Sequence, residues 1–86
     1  MLYEAEKIGK VIRRIRKERG VSQEVLSGLA GIARTHLTMI ESGSKNPNFE
    51  TLWKIALALK IKPSELVAEI EKECVEDDEQ DASQKN

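Results

Sequence analysis

Aromatic side chains are almost missing from this sequence. Tyr3, Phe49 and Trp53 are the only three among 86 residues, so the core has to be aliphatic. Cysteine is scarcer still. Cys74 stands alone, which excludes an internal disulfide framework and marks it as a small buried or interfacial hydrophobe. The one histidine, His36, has no companions at metal-ligand spacing, and zinc sites need three or four ligands. No metal or cofactor is expected. No apolar run approaches the roughly 18 residues that span a bilayer. The opening Met1-Leu2-Tyr3-Glu4-Ala5-Glu6-Lys7 lacks the basic-then-apolar order of a secretory signal. On this reading the chain is expected to be cytoplasmic, away from membranes. A glycine-rich phosphate loop and a nucleophile–base motif are missing too, so the chain is not expected to be an enzyme.

What the sequence does have is charge, unevenly spread. The net charge of the whole chain is -1. Positions 1–62 hold 12 Lys/Arg against 6 Asp/Glu, a net +6, while positions 63–86 hold 2 against 9, a net -7. A basic body that could sit on a polyanion is joined to an acidic end. This length makes one domain, and a domain so small buries a modest fraction of its surface, so a partner subunit would help to stabilise it.

The apolar spacing is helical throughout, with no alternating strand pattern and no internal repeat. Ile8, Val11, Ile12 and Ile15 form one stripe of a first helix from about Glu4 to Arg19, with Gly20 as its stop. Its other face carries Lys10, Arg13, Arg14 and Lys17; Arg16 and Arg19 read as solvated basic residues. Ser22 can cap a short second helix lined by Leu26, Leu29 and Ala30, which Gly31 ends. A third helix, from about Arg34 to Glu41, turns Leu37 and Ile40 inward, and Glu41 is expected to pair with a nearby arginine. Residues 42–47 read as a loop. Asn48 can cap a fourth helix whose inner stripe is Leu52, Ile55, Ala56 and Leu59; Phe49 and Trp53 belong to the core or to an interface. Pro63 suits the first turn of a fifth helix with Leu66, Val67, Ile70 and Cys74. The expected architecture is all-α: a compact five-helix domain over residues 1–75, followed by an acidic, disordered tail over 76–86.

The most specific stretch is Gln23 to Glu41, a helix, a tight break and a second short helix. Helices that cross steeply need small residues at the break and where they touch. Gly31 supplies the first, Ser27 and Ala30 the second, while Ile32, Leu37 and Ile40 anchor the following helix. Its other side presents Arg34, Thr35, His36 and Thr38, with Met39 nearby. A helix clamped on one face and polar on the other can enter a major groove.

The segments IGKVIRRIRKERGVSQEVLSGLAGIARTHLTMIESGSKNP and NFETLWKIALALKIKPSEL carry a family resemblance. Arg-Lys-Glu-Arg-Gly, then Ser-Gln-Glu, then Ile-Glu-Ser-Gly with Asn-Pro, at these spacings, resembles the Cro/CI-type (XRE) helix-turn-helix domains of phage repressors and bacterial regulators. It covers about Ile8 to Leu66. Short stand-alone members include controller proteins of restriction–modification systems, and Arg34-Thr35-His36 is similar to their recognition-helix start.

The resemblance implies a lambda-repressor-like fold with helices 2 and 3 as the helix-turn-helix. It also implies a sequence-specific regulator of transcription that binds double-stranded DNA. Arg34, Thr35, Thr38 and Met39 match positions that face base edges in the family, and His36 touches backbone or base. An arginine can fork onto guanine O6 and N7. Gln23 matches a phosphate-clamping position at a helix N-terminus, itself suited to phosphate, with Ser22 beside it. Lys45 and Asn46 match the second backbone anchor; Arg13 and Arg14 are further phosphate candidates. Three residues depart from the pattern. Ala33 replaces the usual Ser, Thr or Asp cap of helix 3, a loss of about 1 kcal/mol, unless a bound phosphate or a different helix start replaces it. Gly28 inside helix 2 costs about 0.8–1.0 kcal/mol relative to Ala. Ser27 stands where Ala is usual.

Val67, Ile70 and Cys74 continue an apolar stripe past the family core, and two-fold pairing would bury it. The other solution folds helix 5 back on its own subunit. A homodimer implies a near-palindromic operator with half-sites about 34–36 Å apart. No small-molecule ligand is expected. The alternative reading is an antitoxin or adaptor whose main partner is another protein, held by the acidic tail.

Overall fold

A computed structural model describes residues 4–85, with side chains described up to Val75. The described residues form five helices and no strand: α1 (Ala5–Glu18), α2 (Gln23–Ala30), α3 (Arg34–Ser42), α4 (Phe49–Ala58) and α5 (Pro63–Lys85). None is long and apolar enough to cross a membrane.

Local chemistry accounts for where the central helices begin and end. The hydroxyl oxygen of Ser22 accepts the Val25 N–H at 3.1 Å, and Asn48 Oδ1 accepts that of Thr51 at 2.8 Å. Each cap satisfies a donor that a first helical turn leaves open. α2 stops at Gly31, whose φ of +70° lies in the left-handed region where glycine has no Cβ penalty. The N–H groups of Gly31 and Ile32 close back onto the carbonyls of Gly28 and Ser27. That turn redirects the chain into α3.

The core is aliphatic, as the shortage of aromatics requires. Ile8, Val11 and Ile12 of α1 meet Leu26 of α2, Leu37 and Ile40 of α3, Ile55 of α4, Leu59 just after it and Leu66 of α5, all fully buried. Each contributes roughly 1.5–3 kcal/mol by leaving water. α1 lies directly on the end of α3. A Cβ at Gly9 would overlap the carbonyl oxygens of Ile40 and Glu41, so only glycine allows this approach.

Four expectations change. Leu29 is 64% exposed and not part of the α2 inner face. The buried side of α2 is centred between Leu26, Ser27 and Ala30, and Leu29 falls at its flank, roughly 100° around the helix from that centre. Phe49 and Trp53 are 67% and 47% exposed, which removes them from the core and leaves the interface reading. Arg16 is buried rather than solvated. Ile70 and Cys74 are 7% and 4% exposed, packed into the chain's own core, and only Val67 of that stripe is open at 45%. α5 thus folds back on its own subunit, so Ile70 and Cys74 cannot serve as a ready dimer surface. Ion pairs from Lys10 to Glu73 (2.6 Å) and from Arg14 to Glu69 (3.0 Å) hold it along α1. The backbone of α5 is helical to Lys85. The side chains of the acidic tail, from position 76, lie outside the described residues, and its disorder rests on the sequence alone.

Candidate nucleic-acid interface

α3 is held by one edge. Leu37, Ile40 and Glu41 face inward, while Arg34, Thr35, Thr38 and Met39 share the exposed side. His36 sits at the boundary, half-buried. The periodicity of 3.6 residues produces this division: positions 34, 35, 38 and 39 fall on one arc and 37, 40 and 41 on the other. Arg34 makes no ion pair among the described residues, so its guanidinium is open to a partner.

The orientation of α3 is fixed by a polar assembly under its far end. Arg16 Nε donates to Glu41 Oε2 at 2.7 Å and its Nη2 to Oε1 at 3.0 Å, a bidentate pair, while Nη1 donates to the Val21 carbonyl at 2.9 Å. The hydrogen bond to Glu41 is the main cause raising the Arg16 pKa above its ordinary value, against the opposing effect of burial. The guanidinium therefore stays charged throughout the range in which proteins fold. Glu41 Oε1 also accepts from Gln23 Nε2 at 2.9 Å. A carboxylate only accepts, so the Gln23 amide nitrogen must face it. Gln23 Oε1 is then left to accept from the Thr38 hydroxyl at 3.1 Å. Thr38 shares that one hydrogen with the Arg34 carbonyl at 3.0 Å. What Thr38 can offer a partner is its methyl group and its oxygen lone pairs.

This places Gln23 and Thr38 side by side at the α2–α3 corner. Ser22 uses its oxygen as a cap, which leaves its hydroxyl hydrogen free to donate. The Gln23 and Glu24 amides in the first turn of α2 point outward by helix geometry. α3 does begin at Arg34, with Ala33 extended in the cap position and no side-chain cap bond, so its first amides are open as well. Lys45 and Asn46 are exposed in the loop after α3. That loop is braced by Ser44 and Lys45 N–H groups on the Met39 carbonyl at 3.0 and 3.2 Å.

The structure does not bring Arg13 and Arg14 into this corner. Arg14 is occupied by Glu69 and, at 3.7 Å, by Glu18. Arg13 and Arg14 line an open cleft of about 580 Å³ between α1 and the end of α3, whose other lining residues include Lys10, Lys17, Glu6 and Glu41. The partnership of Gln23 with Glu41 and Thr38 was not evident in the sequence, because the residues lie 18 and 15 positions apart. The only signal was the acidic Glu41 among the basic residues of the body. No group of residues that could hold a metal ion occurs among the described residues.

Helices held this way, one supporting and one presenting, define a helix-turn-helix unit. The helix-turn-helix family profile matches residues 12–66, and the chain belongs to that family. It is similar to the control protein C.MunI of a Mycoplasma species, 37% identical over 78% of this chain and 92% of that protein. It is also similar to the immunity repressor of Bacillus phage phi105, 40% identical over 72% of this chain and 43% of the repressor. Among solved structures, the restriction–modification controller protein C.AhdI from Aeromonas hydrophila superimposes with a TM-score of 0.70 at 37% identity. That match covers 72% of this chain and 94% of that one.

Proposed function

We propose that this chain is a sequence-specific, double-stranded-DNA-binding regulator of transcription. It acts in the cytoplasm as a homodimer on a near-palindromic operator, without cofactor, small-molecule ligand or catalysis of its own. The exposed arc of α3 carries the reading. A short helix locked from below by Leu37, Ile40 and Glu41 presents Arg34, Thr35, Thr38 and Met39 at the scale of a major groove. Ser22, Gln23, Lys45 and Asn46 flank that arc as phosphate contacts, which set register while the α3 side chains read bases. His36, at the edge of the groove, touches backbone or base. A role in controlling a restriction–modification system is supported by similarity over nearly the whole length of the two controller proteins.

Selection from random duplexes at physiological ionic strength tests the reading. The expected result is a two-fold symmetric consensus bound more than about a hundredfold more tightly than its scramble, within the range that separates specific from non-specific binding. Weak, uniform, salt-sensitive binding without a consensus would remove the sequence-specific reading and leave a protein-binding antitoxin or adaptor.

A further inference from the structure

Two threonine hydroxyls stand on the exposed arc of α3, and only one of them is free to turn. The Thr35 side chain has no hydrogen-bond partner among the described residues, so its hydrogen rotates to suit whatever it meets. Thr38 is different. It donates to Gln23 Oε1 at 3.1 Å and to the Arg34 carbonyl at 3.0 Å. Both partners are acceptors, and a hydroxyl has one hydrogen. That hydrogen points back into the protein, while the oxygen lone pairs face outward.

The direction of this bond is set from the core. Arg16 donates twice to Glu41, which is buried, and a carboxylate paired in this way only accepts. Glu41 takes a third hydrogen from Gln23 Nε2 at 2.9 Å, which commits the amide oxygen of Gln23 to the Thr38 side. Turning the amide over would set its oxygen against Glu41 Oε1, two acceptors with no hydrogen between them. A phosphate bound at Gln23 is an acceptor too and needs the remaining Nε2 hydrogen, so DNA reinforces the orientation. Donation runs one way, from Thr38 to Gln23 to Glu41.

We infer that Thr38 reads DNA as an acceptor only, so that the group under its oxygen is the exocyclic amine of adenine or cytosine and not the keto oxygen of guanine or thymine. The inference rests on the DNA-binding reading of α3. Each base pair shows one such amine and one keto oxygen in the major groove. A lone pair of Thr38 accepts from the amine. Against the keto oxygen it meets another lone pair, with its only hydrogen already held by Gln23 and Arg34. That leaves two acceptors unsatisfied away from water, which is costly. Thr35, whose hydroxyl can turn, imposes no such polarity.

Selection from random duplexes with wild type and Thr38→Val in parallel tests it. Valine keeps the shape and a methyl group but lacks the oxygen, so the operator position whose preference changes is the one that Thr38 reads. The consensus there tells adenine from cytosine as the source of the amine. The amine and the keto oxygen of that pair are then removed in turn. Purine for adenine, or pyrimidinone for cytosine, takes away the amine; aminopurine for guanine, or methylpyrimidinone for thymine, takes away the keto oxygen. Removing the amine is expected to weaken wild type about fivefold more than Thr38→Val, while removing the keto oxygen affects both proteins alike. Weakened base pairing is common to both proteins and cancels in the comparison. If Thr38→Val fails to fold by circular dichroism, Thr38→Ala, which also lacks the oxygen, takes its place. A loss peculiar to wild type that follows the keto oxygen, equal losses for both proteins with both analogues, or no position that responds to loss of the hydroxyl overturns the proposal. Each of those results leaves the regulator reading standing as long as wild type selects a consensus. Absence of any consensus sinks the regulator reading and this inference with it.

Discussion

Arg34 and Lys45 are both exposed cations beside α3, and their positions give them different work. Arg34 stands on the exposed arc of α3 proposed to enter a groove, with no ion pair to break among the described residues. Replacing it with alanine is expected to cost about 1–3 kcal/mol on the operator and to relax the preference at one base pair. Titrations on the operator and its single-base variants measure this; an equal loss on scrambled DNA would reassign Arg34 to the backbone. Lys45 lies in a loop whose amides are tied to Met39, and it is proposed to contact the DNA backbone. Lys45→Ala should weaken all duplexes alike and lower the slope of log affinity against log salt by about 1. A base-specific loss would contradict that role.

At the scale of elements, helix ends decide most of the geometry, and one of them is strained. α4 ends in a turn where Ile61 N–H reaches the Ala56 carbonyl at 3.1 Å, and Lys60 adopts φ +61° to allow it. Other such turns here use glycine, at Gly20, Gly31 and Gly43. Side chains in that region cost about 1–2 kcal/mol. Lys60→Gly should therefore stabilise the fold by about 0.5–1 kcal/mol, part of the gain being lost to the freer unfolded chain. Urea unfolding of wild type and variant checks the sign, and a destabilised variant would show that the Lys60 side chain has a role the backbone does not reveal.

For the whole molecule, the decisive feature is that α5 closes the core instead of leaving it open. Ile70 and Cys74 are sealed against the domain, and the acidic residues Glu69 and Glu73 of α5 pair with Arg14 and Lys10 of α1. Ile70→Ala should accordingly behave as a core truncation, costing about 2–5 kcal/mol. That loss appears in urea or thermal unfolding at a concentration where the chain is monomeric. If stability held while association failed, Ile70 would belong to an interface after all.

The sequence alone determined that there are five helices, the caps at Ser22 and Asn48, the stop at Gly31 and the division of α3 into buried and exposed arcs. These follow from local chemistry: a serine or asparagine oxygen three residues from an amide, a glycine where φ turns positive, apolar residues at a period of 3.6. It also placed the residues proposed to face DNA, since spacing puts Arg34, Thr35, Thr38 and Met39 on one side. Only the tertiary structure decided the use of surfaces that look alike in one dimension. Leu29 and Leu26 are equally apolar, as are Trp53 and Ile55, and Val67 and Ile70, but which of each pair faces inward depends on how each helix is rotated against its neighbours. Arg16 and Arg14 are both basic residues of α1, yet one ends in a bidentate pair with Glu41 beneath α3 and the other on the α5 surface. Burial and pairing are set by helices distant in the chain, and residue order does not encode that rotation locally.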